Sequence, residues 1–202
     1  MGSTRWEQLA GSDSGRDYAE RLAQTAATGV DMHGEATFCA SLVSSGARIL
    51  DGGCGTGRVA IRLEALGFEV VGVDADPSMI EVAAETNNQV PWHIADLASF
   101  HDDEPYDLIV LAGNVISLLP EGALHGAILN LRRLLTGNGL LVSGFGLDAE
   151  HLPQGCDITT IAQMHDACID AELSLIDRFG TWDRAVFEPG NGYAVNVYRA
   201  AG

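Results

Sequence analysis

The segment Asp51-Gly52-Gly53-Cys54-Gly55-Thr56-Gly57 puts a carboxylate ahead of a G-x-G-x-G run. A backbone so poor in side chains can turn sharply and let a ligand approach its N–H groups closely. The spacing excludes two ligands. Counted from Gly53 and Gly55, the dinucleotide fingerprint G-x-G-x-x-G needs its third glycine where Arg58 stands. A Walker-type phosphate loop needs a lysine, and all 11 basic residues of this chain are arginine. What remains suits an amino acid moiety, because Asp51 can accept from an ammonium while the helix start near Gly57 favours a carboxylate. Asp74, one strand later, is placed to accept from two ribose hydroxyls. Asp96, one strand later again, lies beside the amide of Leu97, a pairing that suits the edge of an adenine. Replacing Asp74 by alanine is expected to remove binding and leave the fold intact.

These acids must sit at strand ends, and the sequence supplies the strands. ARIL (47–50) and FEVVGV (68–73) read as buried strands with the helix GRVAIRLEALG between them. PSMIEVAAE follows as a helix, VPWHIA (90–95) as a strand and YDLIVLA (106–112) as a central strand. Asp76, before Pro77, reads as a helix cap and not a ligand. Leu124, Ile128, Leu131 and Leu135 share a helical stripe, which TGNG ends before the strand LLVSGFG. Asp157 is the expected cap of a helix through Ile161, His165 and Cys168. LSLIDRFGTWDR and YAVNVYR read as two long strands of an antiparallel hairpin joined by AVFEPGNG. This alternation is that of an α/β protein with a mainly parallel sheet. The reading is one domain over 1–202, a helical cap over 1–46 and a core over 47–202.

An amino acid, a ribose and an adenine together describe S-adenosylmethionine. The chain resembles the class I S-adenosylmethionine-dependent methyltransferases: ILDGGCGTG is similar to their first motif, VVGVDADPSMIEVA to their second-strand acid and its helix, and IADL to their adenine turn. YDLIVLAGNVISLL and LRRLLTGNGLLVSGFG resemble their fourth and fifth strand regions. The resemblance implies a doubly wound seven-stranded sheet of order 3-2-1-4-5-7-6 with the last strand antiparallel. It implies that S-adenosylmethionine is cofactor and S-adenosylhomocysteine product. It places Asp51, Gly53, Gly55 and Gly57 against the methionine part, Asp74 on the ribose, Met79 against the adenine, and Asp96 with Leu97 at its edge. Gly113 and Asn114 would border the methyl donor, and Tyr18 resembles the aromatic that relatives fold over the cofactor. No catalytic residue is assigned; His33 is the best placed histidine for a general base, and Trp182 and Phe187 are candidates for lining an acceptor pocket.

Composition narrows the partners. A formal charge of −17 repels phosphate backbones and anionic lipids. Asn114 is followed by Val115 and Ile116 instead of the Pro-Pro-aromatic element of amino-methylating nucleic acid enzymes, so neither nucleic acid nor membrane is expected as a partner. A small molecule is the expected acceptor, with a protein next. No apolar run approaches the length of a membrane span, and the N-terminus lacks a signal-peptide core, so a cytoplasmic location is expected. Cys39, Cys54, Cys156 and Cys168 show no CxxC pairing and read as reduced structural thiols, with no metal expected. Two other readings stand beside the enzyme: a non-catalytic binder of S-adenosylmethionine or S-adenosylhomocysteine, and a nicotinamide-dinucleotide oxidoreductase.

Overall fold

The computed structural model describes residues 14–201. Two helices come first, α1 (Ser14–Ala27) and α2 (Gly34–Ala40). β1 (Arg48–Gly52), α3 (Arg58–Ala65), β2 (Glu69–Asp74), α4 (Pro77–Thr86), β3 (Trp92–Ile94) and β4 (Tyr106–Leu111) then alternate. α5 (Val115–Leu118), α6 (Leu124–Leu134), β5 (Leu135–Gly146), α7 (Ile161–Asp170), β6 (Leu173–Phe179) and β7 (Tyr193–Ala200) complete the chain. The seven strands form one sheet of order β3-β2-β1-β4-β5-β7-β6, as the resemblance implied. β1 pairs in parallel with β2 and β4, β2 with β3 and β4 with β5, while β7 runs antiparallel to both β5 and β6.

Because both faces of a parallel sheet are covered, its central strands bury apolar side chains on both sides. Ile49, Leu108, Val110 and Val142 face one core with α2 and α3, while Leu50, Ile109, Leu111 and Leu141 face the other with α6 and α7. The parallel register brings the carboxyl ends of β1, β2 and β4 to the same edge, where a doubly wound sheet binds ligands. α1 and α2 fall within the expected N-terminal cap, whose first 13 residues lie outside the described ones. α1 rests on α4 at Gly15, whose N–H donates to Ser78 Oγ at 3.1 Å; a Cβ there would meet the Ser78 carbonyl oxygen at 2.2 Å.

Four local expectations are corrected. TGNG does not end a helix: α6 stops at Leu134, and Leu135 opens β5 by pairing with Tyr106, so strand pairing overrides the turn-like composition. Thr160, not Asp157, caps α7, through a capping box in which Gln163 reaches back to the Thr160 N–H. β3 is confined to Trp92–Ile94, the stretch that β2 pairs. β6 ends at Phe179, and in residues 180–192 Trp182 folds back against Phe38 with ring centroids 5.5 Å apart. Asp76 caps α4 as expected, accepting from the Ser78 N–H at 2.8 Å.

Candidate functional site

The glycine loop is laid over the tip of β2. The N–H groups of Gly53 and Cys54 both donate to the Val73 carbonyl, at 2.7 and 3.0 Å. Gly53, Gly55 and Gly57 all hold the left-handed conformation, with φ of 68°, 54° and 84°. Their missing side chains make room for different things. A Cβ at Gly53 would meet Val115 Cγ2 at 2.5 Å, and one at Gly57 would meet the Trp92 ring at 2.5 Å. At Gly55 it would meet only Tyr18 Cε1 at 3.7 Å and Met79 Sδ at 3.9 Å, ordinary contact distances. Of the three, Gly55 presents bare backbone to the cleft described below, and Gly57, which does not line that cleft, serves the packing of Trp92.

Two of the predicted acids hold this loop in place. Asp51, at the end of β1, is 2% exposed, and its Oδ2 accepts from the Ala60 N–H at 3.0 Å. Burial pushes its carboxyl up to about 7, against the opposing pull of the Ala60 N–H and the Arg58 charge. Asp74 Oδ2 accepts from the Gly55 N–H at 2.8 Å and its Oδ1 from the Asp76 N–H at 2.9 Å. Burial raises the Asp74 carboxyl, and these N–H groups partly offset it. Asp74 is therefore also the post to which Gly55 is tied, and a carboxylate oxygen with one such bond still has a lone pair to offer.

A cleft of about 320 Å³ opens over these strand tips. Of the predicted residues, Tyr18, Asp51, Gly53, Gly55, Asp74, Met79, Asp96, Leu97, Gly113 and Asn114 line it. Asp96 also closes a turn, accepting from the Ala98 N–H at 2.8 Å. His33, the sequence candidate for a base, does not line the cleft but borders a neighbouring groove that shares Leu22, Thr56 and Arg58 with it. Trp182 and Phe187 stand away from it too, the first packed on Phe38 and the second under the Arg178 guanidinium. Leu118, Leu119, Pro120 and Pro153, which sequence reasoning did not single out, give one part of the cleft an apolar wall.

Asn114 connects this cleft to the tip of β5. Its Oδ1 accepts from the Gly146 N–H at 2.8 Å, and its Nδ2 donates to the His151 carbonyl at 3.1 Å. In the same loop His151 Nδ1 lies 2.7 Å from Asp148 Oδ1, a bond that holds the Asp148 carboxyl below its ordinary range. Neither His151 nor Asp148 lines the cleft, so the pair braces the loop after β5 on which the Asn114 contact rests. Sequence reasoning missed this pair, whose signal is only an acid three residues before a histidine. Among the described residues, no group of three or more His, Cys, Asp or Glu side chains could hold a metal ion. No described helix is long and apolar enough to cross a membrane.

Residues 49–139 match a family model described as a methyltransferase domain. A solved structure of a TehB-like SAM-dependent methyltransferase from Corynebacterium glutamicum is 32% identical, covers 93% of this chain and 98% of its own, and superposes with a TM-score of 0.83. Among curated proteins, the magnesium-protoporphyrin O-methyltransferase of Rhodobacter capsulatus is 37% identical over 27% of this chain. The ribosomal protein L11 methyltransferase of Symbiobacterium thermophilum is 29% identical over 69% of it. The chain spans less than half the length of these two curated relatives, 26% of the first and 46% of the second.

Proposed function

The chain belongs to the class I S-adenosylmethionine-dependent methyltransferases, and on that premise we propose that it transfers a methyl group from S-adenosylmethionine to a small-molecule acceptor. The observation that carries this reading is the cleft itself, where Asp51 and Asp74 stand at the ends of β1 and β2, bare Gly55 lies in the loop after β1, and Met79 and Leu97 complete the lining. The residues present fit the cofactor. Asp51 is a buried carboxylate for its ammonium, Gly55 leaves a cradle that a larger side chain would fill, and Asp74 keeps acceptor capacity for ribose hydroxyls. Met79 and Leu97 supply apolar surface for the adenine, with Asp96 at its edge. Tyr18 lines the cleft near Gly55, where its ring can rest against the bound cofactor.

The sulfonium supplies a methyl already activated toward a nucleophile, so the chain's work is alignment and exclusion of water. Asp51, Asp74 and Asp96 surround a cationic ligand with negative charge, and Asn114 fixes the β4 tip against β5 at the border of the cleft. The names of the two curated relatives cite a porphyrin and a ribosomal protein as acceptors. The small molecule is favoured here because only short segments, 112–123 after β4 and 147–160 after β5, stand between the core elements at this edge. Calorimetric titration with S-adenosylmethionine should show one site. Incubation with methyl-labelled cofactor and a fractionated metabolite extract should then place the label in a low-mass fraction. Failure to bind the cofactor would refute the reading, and label found only on protein would move the acceptor to that class.

A further inference from the structure

Arg58 is, among the described residues, the only cationic side chain bordering the cleft, whose lining also holds the three acids Asp51, Asp74 and Asp96. Its guanidinium is held from two sides. Nη1 donates to Glu35 Oε2 at 2.8 Å and to the Met32 carbonyl, and Nη2 donates to Glu35 Oε1 at 2.5 Å. A guanidinium offers five N–H groups in a rigid fork, and these contacts use three of them. The two left over, Nε–H and the second Nη2–H, lie on the same edge of the plane, the side-on pair that grips a carboxylate with two parallel bonds. Glu35 thus occupies the end of the fork and fixes its plane, with the side edge still to be filled. The Arg58 charge is also felt at Asp51, the residue read as the ammonium acceptor. A free amino acid group carries both charges on one carbon, so it needs a cation and an anion close together.

We propose that Arg58, oriented by Glu35, holds the carboxylate of the bound cofactor's methionine part and thereby selects the intact amino acid tail over a decarboxylated one. This rests on the reading of the cleft as an S-adenosylmethionine site. It replaces the bare helix start near Gly57 as the carboxylate's main partner. It also assigns Glu35 a positioning role, since a lone flexible arginine would lose rotamer freedom on binding that Glu35 has already removed. The apolar body of α2 fixes Glu35 in turn, because Ala36, Phe38 and Cys39 are buried against the sheet.

The test is a cycle between one residue and one ligand group. Wild type and Arg58→Gln are titrated calorimetrically with S-adenosylmethionine and with its decarboxylated analogue. The wild type should prefer the intact compound by about 10- to 100-fold, the range expected of a charge-assisted pair. Arg58→Gln should lose most of that preference, because its affinity for the intact compound falls far more than its affinity for the analogue. General effects of the acidic surface on the more positive analogue are common to both proteins and cancel. Arg58→Lys should recover part of the preference, because the charge returns without the fork. Glu35→Gln should reduce the preference several-fold through a mobile Arg58. The comparison of two ligands on the unaltered wild type stands whether or not any variant folds. An equal preference in wild type and Arg58→Gln, or none in the wild type, would overturn the assignment while leaving the cofactor reading intact. Failure of the wild type to bind S-adenosylmethionine at all would overturn both.

Discussion

Asp51→Asn separates what the buried acid contributes to binding from what it costs the empty protein. With the folded carboxyl at about 7 and the unfolded one near 3.9, the native state keeps a proton between those values that the unfolded chain has released. Stability therefore falls as pH rises through this window, is fully present below about pH 4, and is flat above 7. Three units of displacement amount to about 4 kcal/mol, an upper bound because the cleft admits water on one side, and about 3 kcal/mol of it lies between pH 5 and 8. The asparagine keeps a carbonyl oxygen for the Ala60 N–H and does not titrate. The variant should thus gain on the wild type by up to about 3 kcal/mol between pH 5 and 8 in urea unfolding followed by tryptophan fluorescence. Taking the difference between the two proteins removes every other titrating group. Over the same interval the wild type should bind S-adenosylmethionine more tightly as pH rises toward 7, and the variant should bind it about 10- to 100-fold more weakly at pH 8. A stability difference that does not change with pH, or undiminished affinity in the variant, would refute the reasoning.

Asp74→Ala removes the acceptor of two backbone N–H groups as well as the proposed ribose contact. Contrary to the expectation of an undisturbed fold, it should lower stability by about 2–4 kcal/mol, read as a drop in unfolding midpoint, while cofactor binding falls below detection. Gly55→Val forces a β-branched residue to a φ of 54° and puts its methyls between Tyr18 and Met79. Calorimetry should show no cofactor binding, with circular dichroism still reporting a folded sheet. Gly72→Ala places a Cβ 2.3 Å from the Trp92 ring, which lies outside the cleft. It should cost roughly 1–3 kcal/mol in urea unfolding with cofactor affinity near that of the wild type at low temperature.

The strands were legible because their information is local, in apolar runs of strand length, turn residues between them and an acid where three of them end, while the order in which they pair came from the family resemblance. The roles of individual glycines were not legible, because G-x-G-x-G records only that the chain turns. Which atom stands opposite each missing side chain is decided by Val115 and Trp92, far along the sequence and brought to the loop by β4 and β3. TGNG misled for a related reason, since its composition favours a turn but it lies between Leu135 and Leu140, which pair with Tyr106 and Leu108 of β4 in a register that no local pattern announces. Arg58 shows the same limit in the site. The sequence used it only to exclude a dinucleotide, because the residue that gives its guanidinium a fixed plane, Glu35, belongs to a segment read as a cap. The two charges an amino acid tail requires are therefore supplied by different logics: Asp51 by position in a motif, and Arg58 by a partner that only the packing of α2 against the sheet makes adjacent.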